Sequence, residues 1–246
     1  MSIEIPAARA EEARARMIEL FPEGFEEIER SDGVELVAYT DPGGEERLWK
    51  VFGHASASDV PEGWEARWRE FHRPVRVGGV WIGQPWQEPP PDAIPVVIDP
   101  GRAFGTGAHP TTRLCVELLA KLPRGSVVDV GCGSGVLAIA AAKLGFGPVT
   151  AVDSDEPALE ATRRNAAAND VGLSVQRRDA LRDELPDGDV AIANVTREIV
   201  EAVARQKRWR VLVASGYLAS EPSELAEYRH RERAEESGWA ADVFER

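Results

Sequence analysis

Residues 126–155 read SVVDVGCGSGVLAIAAAKLGFGPVTAVDSD. Residues 126–130 form a short apolar run of the kind that fills a buried strand, and residues 136–144 are an alanine-rich helix pattern. Between them, Gly131, Gly133 and Gly135 predict a tight strand-to-helix turn. Glycine adopts unusual φ values without strain and lets a ligand approach the main chain free of a Cβ. The helix that follows offers the unpaired N–H groups of its first turn. The spacing is G-x-G-x-G, not the G-x-G-x-x-G of dinucleotide-binding turns. No Gly-Lys-Ser/Thr is present, so a phosphate-cradling loop is unsupported.

The second strand, PVTAVD, ends on Asp153, 22 residues beyond Gly131. A carboxylate at that place can accept hydrogen bonds from both hydroxyls of a ribose. Glycine turn and acid together predict a nucleoside ligand, and Asp129, just before the turn, can meet an ammonium group. S-adenosyl-L-methionine, an adenosine carrying an amino-acid tail, fits these features. The competing reading is a turn that is purely structural. Asp179, in QRRDAL after a third strand, has two readings: an acceptor for the adenine amino group, or a helix N-cap.

Upstream, residues 1–60 predict β-α-β-β-α-β, the order of a ferredoxin-like α+β domain. Residues 2–6 give a short strand, 9–20 a charged helix, FEEIER and VELVAYT two strands about a Ser31-Asp32-Gly33 turn, 45–52 a second helix, and 54–60 an extended end. Residues 61–92 read as a connection. Trp64 and Trp68 lie four apart in GWEARWREF, on one helix face with Phe71, and Trp81 and Trp86 follow. Four of the seven tryptophans within 23 residues suggest packing between domains. A Pro-rich loop, QEPPPDAIP, closes the segment. From residue 93 onward strands alternate with helices, which predicts a parallel sheet running to residue 246.

Composition agrees with an ordinary folded protein. The 246 residues are 43% hydrophobic and 29% charged, enough chain for two domains. There is no run of about 20 apolar residues and no apolar secretory core at the front, so a cytoplasmic protein is expected. Two cysteines, Cys115 and Cys132, build no disulfide scaffold, and four histidines without ligand spacing build no metal site. The net charge is −13, and acids outnumber bases more than two to one in residues 1–60. That argues against direct nucleic-acid binding and suits a basic protein partner; it also serves solubility alone. RQKRWR, residues 205–210, reads as a helix end running into a strand, with an RNA contact as the alternative.

Four stretches carry a resemblance: DPGRAFGTGAHPTTRLC (99–115), DVGCGSGVLAIAAAKLG (129–145), AVDSDEPALEATRRNAAAN (151–169) and IAN (192–194). With them the chain resembles the bacterial ribosomal protein L11 methyltransferases, which are class I S-adenosylmethionine enzymes. FGTGAHPTT is the specific part, and WEARWREFHRPVRVGGVWIG looks like the family's linker. The resemblance implies an α/β, Rossmann-like domain, mostly parallel with a C-terminal antiparallel hairpin, behind a ferredoxin-like domain that recognises the ribosomal protein. It implies methyl transfer to lysine ε-amino and α-amino nitrogens, by a protein expected to be a monomer. By motif, Thr112, Gly131, Asp153 and Asn194 correspond to cofactor-binding positions. Phe104 and Thr106 lie in the same matched loop and would help enclose the methionine end. His109 reads as a structural loop histidine, with a substrate contact as the alternative.

Three features depart from that pattern. The asparagine opens NVTREIV (194–200), which puts Thr196 and Arg197 near the expected substrate channel. The stretch from 194 to 215 lacks a Pro-Gly-Gly turn. Only EPSELAEY (221–228) remains as a helix before the closing hairpin. The mechanism expected is in-line attack of a neutral amine on the sulfonium methyl, without a general base. The Asn194 amide oxygen and the Val195 carbonyl would accept amine N–H groups. A different acceptor (another protein amine, a small molecule or RNA) and a non-catalytic cofactor-binding protein are the competing readings.

Overall fold

The computed structural model describes residues 1–21, 25–30, 32–38, 42–56, 74–99, 107–206, 208–226 and 228–246. They fall into two compact units, Met1–Arg69 and Glu70–Arg246. No helix among the described residues is long and apolar enough to cross a membrane.

The first unit contains β1 (Ser2–Pro6), a 3-10 turn (Ala7–Arg9), α1 (Ala10–Leu20), β2 (Glu26–Arg30), β3 (Gly33–Val37) and α2 (Pro42–Phe52). In the strands, Ile3, Ile5, Val34 and Leu36 alternate inward. Ala10, Ala13 and Met17 are the matching stripe on α1. β3 pairs antiparallel with both β1 and β2, and Ser56 bridges antiparallel to Ser2. The order Ser56–β1–β3–β2 is that of the ferredoxin-like split β-α-β. α2 begins three residues before the expected start, with Pro42 in its first position, where a missing N–H costs nothing. Residues 57–60, Trp64, Trp68 and Phe71 lie outside the described residues.

The second unit opens with a small sheet of β4 (Val75–Val77), β5 (Val80–Gly83) and β6 (Ile94–Val97). β4 and β5 form a hairpin, and β6 runs parallel to β5. The sequence placed this hairpin in a connection. Val80 and Ile82 instead share one core with Val96, Ile98, Leu114 and Leu137. Trp81 is buried within this sheet, whereas Trp86 is 38% exposed.

The main sheet and its helices comprise α3 (Pro110–Ala120), β7 (Val127–Val130), α4 (Val136–Lys143), β8 (Val149–Asp153), α5 (Glu156–Ala168), β9 (Ser174–Arg177), β10 (Val190–Asn194), α6 (Arg197–Gln206), β11 (Val211–Leu218), β12 (Arg229–Glu236) and β13 (Trp239–Glu245). Its order is β9-β8-β7-β10-β11-β13-β12. Only β13 runs against the rest, closing the sheet with an antiparallel hairpin. The central strands VVDV and VAIAN are apolar along both faces because both are covered. Val127, Ile192 and Val213 pack into one core, and Val128, Ala191 and Leu212 into the other. The chain steps from β7 out to β9, then crosses back to β10. This leaves a crevice at the carboxyl ends of β7 and β10, where open α/β sheets bind ligands.

The crossover from β11 to β12 corrects one expectation. Residues 221–226 and Tyr228, expected as the helix EPSELAEY, form none. Arg233 donates to the carbonyls of Ala219 and Glu221, both at 3.1 Å. Arg197 donates to those of Pro222 (2.7 Å) and Glu224 (2.5 Å). These carbonyls would face amides of the same segment in a helix; two arginines from elsewhere take them instead. Leu225 and Tyr228 anchor the resulting strap in the core.

Asp129 ties β7 to α4. Its carboxylate is 1% exposed, and its Oδ2 accepts the Ala138 N–H at 3.0 Å. Burial pushes this carboxyl up to about 7; the Ala138 N–H opposes the shift and the charge of Asp153 adds to it. Between the ordinary value of 3.8 and about 7, the folded state therefore holds a proton that the unfolded chain has lost. The group's contribution falls with rising pH across that window, by at most about 1.4 kcal/mol per pH unit, and levels off above it. In urea unfolding series from pH 4.5 to 8, Asp129→Asn should lose stability with rising pH less steeply than the wild type. Equal slopes would contradict the buried protonated carboxyl.

Candidate functional site

The glycine turn is fixed to β8 from its first residue. The N–H groups of Gly131 and Cys132 both donate to the Val152 carbonyl, at 2.9 and 3.0 Å. Gly131, Gly133 and Gly135 have φ of +72°, +53° and +83°, which a side chain would strain. Gly131 is exposed, and its carbonyl accepts no hydrogen bond among the described residues. Asp153 sits beside the turn at the end of β8. Its Oδ2 accepts the Gly133 N–H and its Oδ1 the Asp155 N–H, each at 3.0 Å. The carboxylate is thus held at the sheet edge with lone pairs still available.

Behind the turn stands a row of buried polar residues on α5 and its C-cap that the sequence reading gave no role. Thr162 Oγ1 donates to the Gly133 carbonyl at 3.0 Å, and Asn165 Nδ2 to the Ser134 carbonyl at 2.9 Å. Asn165 Oδ1 accepts the Asp99 N–H at 3.1 Å. Asn169 pairs with both the N–H and the C=O of Val97, at 2.8 and 2.6 Å. All three are at most 3% exposed. Their spacing of three and four residues was the available signal, since it puts them on one helical face among buried alanines.

Asn194 ends β10, and its Nδ2 reaches Thr112 Oγ1 at 3.5 Å, a long contact. Thr112 is fully buried in the first turn of α3. His109 caps that helix: its Nδ1 accepts the Thr111 N–H at 3.3 Å and lies 2.7 Å from Thr111 Oγ1. Its ring meets the edge of Trp239 at 4.8 Å. Burial, with the charge of Arg113, holds the imidazole below its ordinary pKa. This is the structural role read from the sequence.

Val195 joins Asn194 to the glycine turn. Its N–H donates to the Ser215 carbonyl at 3.1 Å, and a Cβ on residue 131 would stand 2.4 Å from its Cγ1. Its carbonyl oxygen lies 2.1 Å from where a Cβ on Gly216 would be, a position with φ of +100°. The Val195 carbonyl, expected to accept an amine, is therefore turned onto β11, and Asn194 Oδ1 is the acceptor left at this strand end.

Gly131 and Gly133 after β7, Asp153 at the end of β8, and Asn194 with Thr112 beside it at the end of β10 thus lie along the carboxyl ends of three neighbouring strands. Gly135 sits behind them, against Thr162. Asp129 lies beneath the turn, not on its open face, because its carboxylate serves the α4 amide. Asp179 caps a turn: its Oδ1 accepts the Leu181 N–H at 2.9 Å, and Arg182 pairs with its Oδ2 at 3.5 Å. Phe104 and Thr106 lie outside the described residues. In the basic stretch, Arg208 pairs with Glu184 and Asp187, and Trp209 is fully buried. Among the described residues no cluster of His, Cys, Asp and Glu could hold a metal ion. An exposed backbone acceptor without a Cβ beside it, next to an anchored carboxylate, fits a nucleoside with a cationic tail.

Comparison with known proteins agrees with this architecture. The model of the ribosomal protein L11 methyltransferase (PrmA) family matches residues 14–241. A protein of Shewanella denitrificans named ribosomal protein L11 methyltransferase is 41% identical over 193 residues, which cover 74% of this chain and 65% of that protein. One of the same name from Pelobacter propionicus is 40% identical over 207 residues, covering 75% and 67%. The chain thus spans about two thirds of the length of these relatives. Among solved structures, a ribosomal protein L11 methylase from Lactobacillus delbrueckii subsp. bulgaricus superposes with a TM-score of 0.64 at 28% identity, covering 70% of this chain and 98% of that one. The chain belongs to the ribosomal protein L11 methyltransferase family.

Proposed function

We propose that the protein is an S-adenosyl-L-methionine-dependent N-methyltransferase acting on lysine ε-amino groups, the N-terminal α-amino group, or both, of ribosomal protein L11. The observation that carries this reading is the packing of Val195, next to Asn194, on the glycine turn that Asp153 anchors. Gly131, Asp153, Thr112 and Asn194 would hold the cofactor. When bound, it supplies a methyl group on a cationic sulfur that leaves neutral, so no acid is needed to expel it.

The chain's own task is then to orient the acceptor. With its Nδ2 directed at Thr112, Asn194 offers Oδ1 to an amine N–H and so aims the nitrogen lone pair. A lysine ammonium, with a pKa near ~10.4, must first lose a proton. Desolvation at the crevice lowers that pKa, and water takes the proton. The acidic first unit suits a basic protein partner.

Purified L11 incubated with the protein and S-adenosyl-L-methionine should gain mass in whole methyl increments, on lysine or α-amino nitrogen by peptide mass spectrometry. An unmodified L11, or label found instead on RNA or a small amine, would overturn the assignment. Asn194→Ala should lower kcat about 100-fold or more while retaining part of the cofactor affinity; unchanged turnover would remove its role. Asp153→Ala should weaken cofactor affinity by about 10–100-fold in calorimetry, as loss of charge-assisted hydrogen bonds implies. Native affinity would contradict the ribose assignment.

A further inference from the structure

Two stretches singled out in the sequence, VTREIV after the β10 asparagine and EPSELAEY before β12, which forms no helix, meet at one side chain. Arg197 opens α6, three residues beyond Asn194. The sequence placed it near the substrate channel; in the structure its guanidinium is bound to the strap. Nη1 and Nη2 donate to the carbonyls of Pro222 and Glu224 in the strap, at 2.7 and 2.5 Å, and Nε pairs with Glu201 at 3.2 Å. The guanidinium lies over the Tyr217 ring, 5.3 Å from its centroid. The side chain is 19% exposed, so these contacts are largely shielded from water.

The contact with Tyr217 completes a series. Val195 N–H bonds Ser215, Val195 C=O rests on Gly216, and Arg197 covers Tyr217. The chain after Asn194 is thus fastened to three successive residues of β11. The ring itself is fixed from behind, its hydroxyl donating to Asp242 Oδ2 at 2.9 Å and to the Ala214 carbonyl at 3.1 Å. A guanidinium has a rigid planar fork, so bonding to two carbonyls and stacking on a ring defines its position more closely than an ammonium could.

We infer that Arg197 is a positioning residue for acceptor methylation: it fixes the Asn194 loop against β11 and the strap, in place of the absent helix. The altered acceptor motif and the shortened crossover are then two halves of one feature. All three guanidinium nitrogens of Arg197 are engaged within the protein. This inference rests on the proposed amine transfer for its kinetic consequence, but not for its structural one. Arg233 supplies the comparison, because it binds the strap carbonyls of Ala219 and Glu221 without contacting α6 through them.

The experiment combines amide hydrogen exchange, cofactor calorimetry and transfer kinetics on the full chain, for wild type, Arg197→Met, Arg197→Lys and Arg233→Lys. Arg197→Met should speed exchange in both 194–200 and 219–226. It should also lower kcat about 10–100-fold, with cofactor affinity within about twofold of wild type. Arg197→Lys, which keeps the charge but not the planar fork, should recover part of both changes and serves if the methionine variant fails to fold. Arg233→Lys should speed exchange in 219–226 but leave 194–200 and kcat unchanged. Unaltered exchange at 194–200 in the Arg197 variants, or a parallel loss of cofactor affinity and kcat, would overturn the positioning role. If the wild type transfers no methyl group to any amine, the functional reading fails, while the exchange pattern still decides whether Arg197 holds the loop.

Discussion

Val195 stands between two glycines, and the crevice depends on that arrangement. Its side chain fills the space where a Cβ of Gly131 would be, and its carbonyl the space beside Gly216. Either glycine given a side chain would force the loop after β10 away from the turn after β7, because packed interiors leave no slack of that size. The glycine turn and the strand end carrying Asn194 thus meet through a glycine and one short β-branched side chain. A side chain stiff at χ1 makes this a rigid contact, as a transfer that relies on aligning a nitrogen with a methyl group requires.

The rest of the second unit supports this contact from two sides. On one, Thr162 and Asn165 of α5 bind the carbonyls of Gly133 and Ser134, and Asn165 and Asn169 reach on to Asp99 and Val97. Buried amides satisfied in this way act as rigid spacers, and each would be costly to leave unpaired. On the other, Arg197 binds two carbonyls of the strap and covers the Tyr217 ring, with Asp242 behind it.

What could be read from the sequence was what neighbours in the chain determine. The glycine turn, Asp153 at a fixed distance beyond it, the apolar central strands and the split β-α-β order at the front all follow from local patterns. What could not be read depends on partners far along the chain. Asn169 serves Val97, 72 residues away, and nothing near either residue announces the pair. EPSELAEY has an acceptable helical composition, but arginines from α6 and β12 take its carbonyls. The orientation of the Val195 carbonyl is set by Gly216, which only the pairing of β10 with β11 brings beside it. Val80 and Ile82 looked like part of a connection because a three-stranded sheet gives so short a signal.

A crystal structure of the protein with S-adenosylhomocysteine tests the central claim most directly. The account predicts ribose hydroxyls within hydrogen-bond distance of the Asp153 carboxylate, the amino-acid tail at the Gly131 carbonyl, and the sulfur facing Asn194. A ligand seated anywhere other than across the carboxyl ends of β8, β7 and β10, or a crevice that excludes it at saturating concentration, would contradict this placement.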